Sequence, residues 1–158
     1  GASSKEVAEY LKKRVEKYQQ NATFYIDDSI GCLNQSDLAV VSSGTASLEA
    51  FLSSKPMIVG YKTGKLNYFL YKNLINLDSI SLPNILTESK IVPELIQDNL
   101  TGQSVAKQLM LWTIDNRRLS SYRQVGSNFL TTLNTQGNQT MPSRFREFIN
   151  KLKGADEK

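Results

Sequence analysis

Two short apolar segments on either side of a helical segment constrain the fold of this chain most strongly. Residues 37–42 (DLAVVS) and 55–61 (KPMIVGY) are apolar over most of their length, which is typical of strands buried in a parallel sheet. Residues 44–53 between them carry apolar side chains at helical spacing. Because strand, helix and strand follow in this order, the sequence predicts βαβ units and an α/β fold with a parallel sheet.

The remaining segments extend this alternation and then become helical only. Two more short strands are predicted at 22–27 and at 78–84, the second ending in a proline turn. A short helix or turn is predicted at 29–36. Apolar positions three and four residues apart predict helices at 4–19, 65–75, 90–98, 103–115, 117–133 and 142–153. The expected architecture is therefore a small parallel sheet with flanking helices and a helical tail.

The residue types present exclude several kinds of chemistry. The 158 residues contain no histidine, which excludes histidine metal sites and a Ser–His–Asp triad from this chain. Cys32 is the single cysteine, so no disulfide can form within the chain. No clustered carboxylates suggest a metal site, and the start, GASSKEV, lacks the features of a signal peptide. The net charge of +4 is compatible with an anionic ligand, but it is also common among ordinary domains.

The junction after the first apolar segment is the strongest candidate for a binding site. Gly44 allows a tight turn and a close approach of ligand to backbone, and the following helix directs unpaired N–H groups at the loop. Ser43 and Thr45 add hydroxyl groups as further donors, and Glu49 lies one turn along the helix, where it could accept hydrogen bonds from ribose hydroxyls. The sequence thus suggests a nucleoside diphosphate, although an ordinary capped helix has the same pattern.

Four blocks of sequence, in order, resemble one enzyme family. They are SDLAVVSSGTASLE, then KPMIVGYK, then SISLPNIL, then VPELIQ. Together they closely resemble the lipid-A-disaccharide synthases, which are inverting glycosyltransferases of the two-Rossmann-domain (GT-B) type. The resemblance covers roughly residues 5–115 well and the tail weakly. It departs from the family in lacking the N-terminal domain and the L-P-G-S-R block that begins the C-terminal domain.

The resemblance implies a reaction and a division of the chain. The family transfers 2,3-diacylglucosamine from UDP-2,3-diacylglucosamine to 2,3-diacylglucosamine 1-phosphate and forms lipid A disaccharide 1-phosphate. Residues 1–115 would be a truncated Rossmann-like donor-binding domain, and residues 116–158 a helical tail that packs on this domain or on a partner subunit. The catalytic base would lie outside this chain, which is therefore expected to be inactive alone. The UDP-sugar is a substrate, so no cofactor or metal is implied.

The resemblance also implies which residues hold the donor. The diphosphate would lie on residues 43–46, and the ribose hydroxyls would bind Glu49. Asn84 and Gln97 would face the donor sugar or phosphate, and the loop Asp28–Gly31 would flank the uracil. The full set of expected donor-binding residues is Ser43, Gly44, Thr45, Ala46, Glu49, Asn84 and Gln97.

The resemblance also implies a cellular location and a partner subunit, and two alternative functions stay open. The resemblance implies a cytoplasmic enzyme, peripheral on the inner membrane of a Gram-negative bacterium, with a homodimer contact through the C-terminal helices. One alternative is another UDP-sugar transferase or epimerase of the same fold, although SLPN and the missing histidine argue against it. The other is a non-enzymatic basic module. The basic residues of this sequence are scattered along the chain and form no continuous basic patch, so no nucleic-acid partner is expected.

Overall fold

A computed structural model of the chain describes residues 4–18, 21–64 and 79–136. The chain divides into two units, one ending at Ser36 and one beginning at Asp37. The first unit contains α1 (Ser4–Lys17), where helical spacing predicted a helix, and α2 (Ser29–Asn34), where a short helix or turn was predicted. In the described residues, no helix is both long enough and apolar enough to cross a bilayer.

The strand predicted at 22–27 is wrong, because this segment has no regular structure. Its side chains are mostly exposed, and Asp27 has a positive φ of 55°. A strand is stabilised by hydrogen bonds to a neighbouring strand, and the described residues of the first unit contain no other strand. The apolar letters of 22–27 therefore do not suffice to form one.

The second unit is built on a three-stranded parallel sheet, which confirms the predicted α/β class. The strands β1 (Ala39–Ser42), β2 (Met57–Tyr61) and β3 (Glu94–Ile96) lie in the order β1-β2-β3. The central strand is buried as predicted, and Ile58 is fully inaccessible. The edge strand β1 is less buried than expected, since Val40 is 52% exposed.

Helices flank this sheet, and most lie where the spacing predicted them. They are α3 (Thr45–Leu52), α4 (Leu82–Leu86), a 3-10 turn (Gln97–Asn99), α5 (Gly102–Ile114) and α6 (Asn116–Gln136). The predictions at 44–53, 103–115 and 117–133 are therefore confirmed. The helices predicted at 65–75 and 142–153 lie outside the described residues.

Two predictions in the middle of the chain are wrong. The strand expected at 78–84 is replaced by α4, which has Pro83 in its first turn, where its fixed φ suits a helix and its missing N–H costs nothing. The helix expected at 90–98 is replaced by β3 and the 3-10 turn. A three-residue strand is too short to show a period of two, and β3 exists because it pairs with Val59, Gly60 and Tyr61 of β2.

The hydrophobic core lies between the sheet, α3 and the last two described helices. Phe51 of α3 is 1% exposed, and its ring contacts Tyr122 and Phe129 of α6 at centroid distances of 5.9 and 5.5 Å. The Trp112 ring of α5 meets Tyr122 edge-on at 5.4 Å. Trp112 Nε1 donates a hydrogen bond of 3.0 Å to the carbonyl of Met57. The described part of the tail is thus packed on the sheet unit through aromatic side chains.

Replacing Tyr122 by phenylalanine should lower the free energy of unfolding by about 1 kcal/mol at neutral pH. The hydroxyl donates a 2.8 Å hydrogen bond to the Lys55 carbonyl, which the variant leaves without this donor. Burial raises the pKa of Tyr122, so the folded state keeps the phenol protonated where the unfolded state ionises. Stability should therefore fall as the pH rises above about 10. Urea titrations at several pH values should find a smaller loss of stability above about pH 10 in Y122F than in the parent chain. An equal loss in both would contradict the attribution of the pH dependence to Tyr122.

Candidate functional site

The loops that carry the candidate residues leave the sheet at one end. Ser42 lies opposite Gly60, and Tyr61 lies opposite Ile96, so the three parallel strands end side by side. Open α/β sheets bind their ligands at this carboxyl end. The structure therefore places the residues after β1 and Gln97, the residue after β3, at the end of the sheet where a ligand is expected.

Gly44 has a backbone conformation that is essentially restricted to glycine. Its φ is 125° and its ψ is −153°, and it occupies the N-cap position of α3 without a side-chain cap. A Cβ at Gly44 would meet nothing within 4 Å, so the space beside it is open. Glycine is required here by the conformation of the turn, and its missing side chain leaves the helix N-terminus accessible.

The first turn of α3 has donor groups that the helix itself does not satisfy. Ser47 donates both its N–H and its hydroxyl to the Gly44 carbonyl, at 3.1 and 2.7 Å. The N–H groups of Thr45 and Ala46 precede it and have no acceptor within the helix. Thr45 is exposed. Free N–H groups at the positive end of a helix dipole form a site for an anion such as a phosphate.

Glu49 extends this site along the helix. It lies four residues after Thr45, so both side chains project from one face of α3, with Cβ atoms roughly 5–6 Å apart. Glu49 is half-buried. The face therefore presents a hydroxyl and a carboxylate one turn apart, next to the N–H groups of the first turn. A ligand with a phosphate and neighbouring hydroxyls would match both parts.

The Ser43 hydroxyl already has an acceptor within the protein. Its Oγ donates a 2.7 Å hydrogen bond to the carbonyl of Ile80, in the segment before α4. A serine hydroxyl has only one proton to donate, so this arrangement leaves the Ser43 oxygen as an acceptor. Ser43 thus ties the loop after β1 to the segment before α4, and a hydroxyl contact from Ser43 to a ligand stays a prediction.

Asn84 and Gln97 also use their amide groups within the protein. Asn84 is 3% exposed, and its amide exchanges two hydrogen bonds of 3.0 Å with the backbone of Val92. Gln97 bonds the backbone N–H and carbonyl of Thr63 at 2.8 and 3.0 Å, which joins the residues after β3 to those after β2. The proposed contacts of Asn84 and Gln97 with the donor stay predictions, because both amides hold neighbouring segments together in this structure.

The loop Asp28–Gly31 belongs to the first unit. Asp28 caps α2 by accepting a 2.8 Å hydrogen bond from the Gly31 N–H. A shallow pocket in the same unit is lined by Thr23, Phe24, Tyr25, Asp27, Asp28, Ser29 and the exposed Cys32. The expected role of the loop Asp28–Gly31 beside the uracil stays a prediction, because the Asp28 carboxylate already accepts a hydrogen bond within the protein.

Glu94 holds several neighbouring groups in place, a role that its sequence pattern did not predict. Its carboxylate accepts hydrogen bonds from the backbone and hydroxyl of Ser81, at 2.9 and 2.6 Å, and from Asn84 Nδ2 at 2.8 Å. It is half-buried. The sequence shows only an acidic residue within the otherwise apolar segment VPELI. That pattern fits a helix with one charged face as well as it fits a strand with a buried carboxylate.

Comparisons with known proteins identify the same family that the four sequence blocks resemble. The family model described as "Lipid-A-disaccharide synthetase" matches residues 2–149. Among curated relatives named lipid-A-disaccharide synthase, that of Wigglesworthia glossinidia brevipalpis is 36% identical over 121 residues, which are 73% of this chain and 31% of the relative. The one from Haemophilus influenzae (strain PittEE) is 41% identical over 97 residues, 61% of this chain and 25% of the relative.

A third relative, from Pseudomonas putida (strain W619), is 35% identical over 108 residues, 68% of this chain and 29% of the relative. In each comparison the match spans less than a third of the relative's length. The family model covers nearly the whole of this chain, including the Gly44 loop, α4 and β3. The chain belongs to the lipid-A-disaccharide synthetase family.

Proposed function

We propose that this chain forms the part of a lipid-A-disaccharide synthase that binds the UDP-sugar donor. The observation that carries the proposal is the uncapped N-terminus of α3, reached through Gly44 at the carboxyl end of β1. Glu49 one turn further along adds a group suited to ribose hydroxyls. Membership of the family supports the choice of UDP-sugar over other nucleoside diphosphates.

The arrangement has a clear electrostatic role in a glycosyl transfer. When the bond between sugar and diphosphate breaks, negative charge grows on the departing UDP. The N–H groups of Thr45 and Ala46 and the dipole of α3 are fixed before the reaction, so they stabilise that charge without reorganising. Glu49 would orient the nucleoside by accepting hydrogen bonds from both ribose hydroxyls.

The whole protein's reaction follows from the family and remains a proposal. It would transfer 2,3-diacylglucosamine from UDP-2,3-diacylglucosamine to 2,3-diacylglucosamine 1-phosphate. Within the described residues no group of three or more His, Cys, Asp or Glu side chains is arranged to hold a metal. Because the resemblance assigns the general base to another domain, we expect this chain to bind the donor and to show no transfer. Release of UDP by the isolated chain in the presence of both substrates would contradict this.

Glu49→Ala should weaken UDP binding about 10- to 100-fold, because a carboxylate hydrogen-bonded to ribose hydroxyls contributes roughly 1.5–3 kcal/mol. Calorimetric titration of the 158-residue chain with UDP measures this directly. Inorganic pyrophosphate should bind the variant and the parent chain equally, because it has no ribose. Glu9→Ala is the matched control, since it removes an exposed glutamate from α1 in the other unit.

Three outcomes of this titration decide the assignment. Loss of UDP affinity in E49A alone, with unchanged pyrophosphate affinity, supports the division of the site into a phosphate part and a ribose part. Equal losses in E49A and E9A would contradict a specific contact between Glu49 and the ribose, because removing a negative charge by itself should favour the binding of an anion. A folded parent chain that binds neither ligand would contradict the proposed donor site.

Location and assembly are proposed from the family in the same way. A cytoplasmic enzyme at the inner membrane should sediment with vesicles of anionic phospholipid, and a homodimer should sediment at twice the 17.7 kDa of the chain. Absence of both would leave the donor site unaffected, because that proposal depends on α3 and Gly44 alone.

A further inference from the structure

The carboxylate of Glu94 holds the segment before α4 through several hydrogen bonds. The N–H of Ile80 donates to both of its oxygens, at 3.2 and 3.1 Å. Ser81 donates its N–H and its hydroxyl, and the hydroxyl bond of 2.6 Å is the shortest of the set. Asn84 Nδ2 completes the shell at 2.8 Å. Hydrogen bonds to a charged acceptor are about twice as strong as neutral ones, so Glu94 fixes this segment firmly.

The peptide groups on either side of Ile80 link Glu94 to the Gly44 loop. The N–H of Ile80 is held by Glu94, and its carbonyl accepts the 2.7 Å hydrogen bond from Ser43 Oγ. Ser43 immediately precedes Gly44 in the chain. Any displacement of Ile80 therefore moves the acceptor on which the Ser43 side chain depends. Three of the four sequence blocks, SSGT, SLPN and PEL, meet in this one network.

Ser47 holds the Gly44 carbonyl from within α3, and the bond from Ser43 to Ile80 ties the Gly44 loop to a separate segment of the chain. Gly44 carries no capping side chain, lies in a backbone region that essentially only glycine adopts and has open space beside it. A site that stabilises a growing charge depends on donors held in place beforehand, and a shift of about 1 Å is costly. The hydrogen bond from Ser43 to Ile80 lies one residue before Gly44, next to the turn that sets the direction of the donors.

We propose that Glu94 is a positioning residue of the donor site, acting through Ile80 and Ser43 to hold the Gly44 loop in its binding conformation. The inference rests on the proposed donor-binding function only where affinity is concerned. Glu94 acts through other residues, so its effect is on the geometry of the loop. The competing interpretation is that Glu94 serves only to stabilise α4.

Glu94→Gln is the variant that tests this with least damage to the fold. The glutamine keeps the shape, and its Oε1 can still accept from Ser81, from Asn84 and, at 3.2 Å, from Ile80. Its Nε2 replaces the oxygen that accepts from Ile80 at 3.1 Å and sets a donor against the Ile80 N–H, which weakens the hold on Ile80. Ser43→Ala removes the other half of the link. Tyr122→Phe is the control, because it removes a hydrogen bond to Lys55 far from this network.

The first readout does not require a ligand. The amide of Ser47 donates to the Gly44 carbonyl, so its hydrogen exchange, followed by NMR, reports the conformation of the loop. We expect exchange at Ser47 to rise about 3- to 10-fold in E94Q and in S43A, the ratio corresponding to one lost hydrogen bond. The double variant should exceed either single variant only slightly, because both substitutions break the same link. Y122F should leave the exchange of Ser47 unchanged.

The second readout is UDP affinity by calorimetry, expected to fall about 3- to 10-fold in E94Q and S43A, again without multiplying in the double variant. Unchanged Ser47 exchange in E94Q, with only a lower melting temperature such as Y122F also shows, would overturn the inference. Fully additive effects of E94Q and S43A would overturn the route through Ser43. If the parent chain binds no UDP while the exchange result holds, the proposed function fails and the positioning of the loop stands.

Discussion

Gly44→Val is expected to reduce UDP affinity by more than about 100-fold while the chain stays folded. The φ of 125° and ψ of −153° at this position fall in a region that is essentially closed to residues with a Cβ, and a β-branched residue is excluded most strongly. The valine would move the backbone to an allowed conformation. The N–H groups of Thr45 and Ala46 would then point away from the diphosphate, and the loss of affinity follows.

The strain itself should cost about 1–3 kcal/mol of stability. Nothing lies within 4 Å of the added Cβ, so no clash in the core contributes. Gly102→Val is the matched control: this glycine also begins a helix, has open space around its Cβ and shows no positive φ. Calorimetry should find UDP affinity unchanged in G102V. Equal affinities of G44V and the parent chain would show that the first turn of α3 does not hold the diphosphate.

The sequence predicted those elements whose formation depends on their own residues. The strands β1 and β2 and the helix α3 follow from strongly apolar, regularly spaced segments. The short strand β3 depends on pairing with Val59–Tyr61, and residues 22–27 lack such a partner among the described residues of their unit. The presence or absence of a pairing partner is not contained in the local sequence pattern. The strand β3 was therefore missed, and a strand at 22–27 was predicted wrongly.

The candidate site divides in the same way. The Gly44 loop could be predicted because glycine, hydroxyl residues and a helix start are adjacent in the chain. The pairing of Asn84 with Val92 and of Ser43 with Ile80 joins residues that are distant or unremarkable in sequence. The motif letters therefore located the loop but gave no information on which side chains already have partners within the protein.

Phe51→Ala should lower the free energy of unfolding by about 3–5 kcal/mol, a large part of the roughly 5–15 kcal/mol that stabilises a typical domain. The ring is 1% exposed and lies between Tyr122 and Phe129, so its removal leaves a cavity between α3 and α6. Gly126 of α6 faces the same ring, where an added Cβ would lie 3.5 Å from Phe51 Cε2. Urea denaturation followed by circular dichroism measures the loss.

Leu52→Ala is the matched control, because this neighbouring side chain is 41% exposed and should cost less than about 1 kcal/mol. Equal losses in the two variants would contradict the assignment of the core. UDP affinity separates the two faces of α3: Thr45 and Glu49 form the face assigned to the ligand, whereas Ala50 and Phe51 are buried. The folded fraction of F51A should therefore bind UDP with the affinity of the parent chain. E49A should bind UDP weakly at the same concentration of urea, although it is the more stable variant.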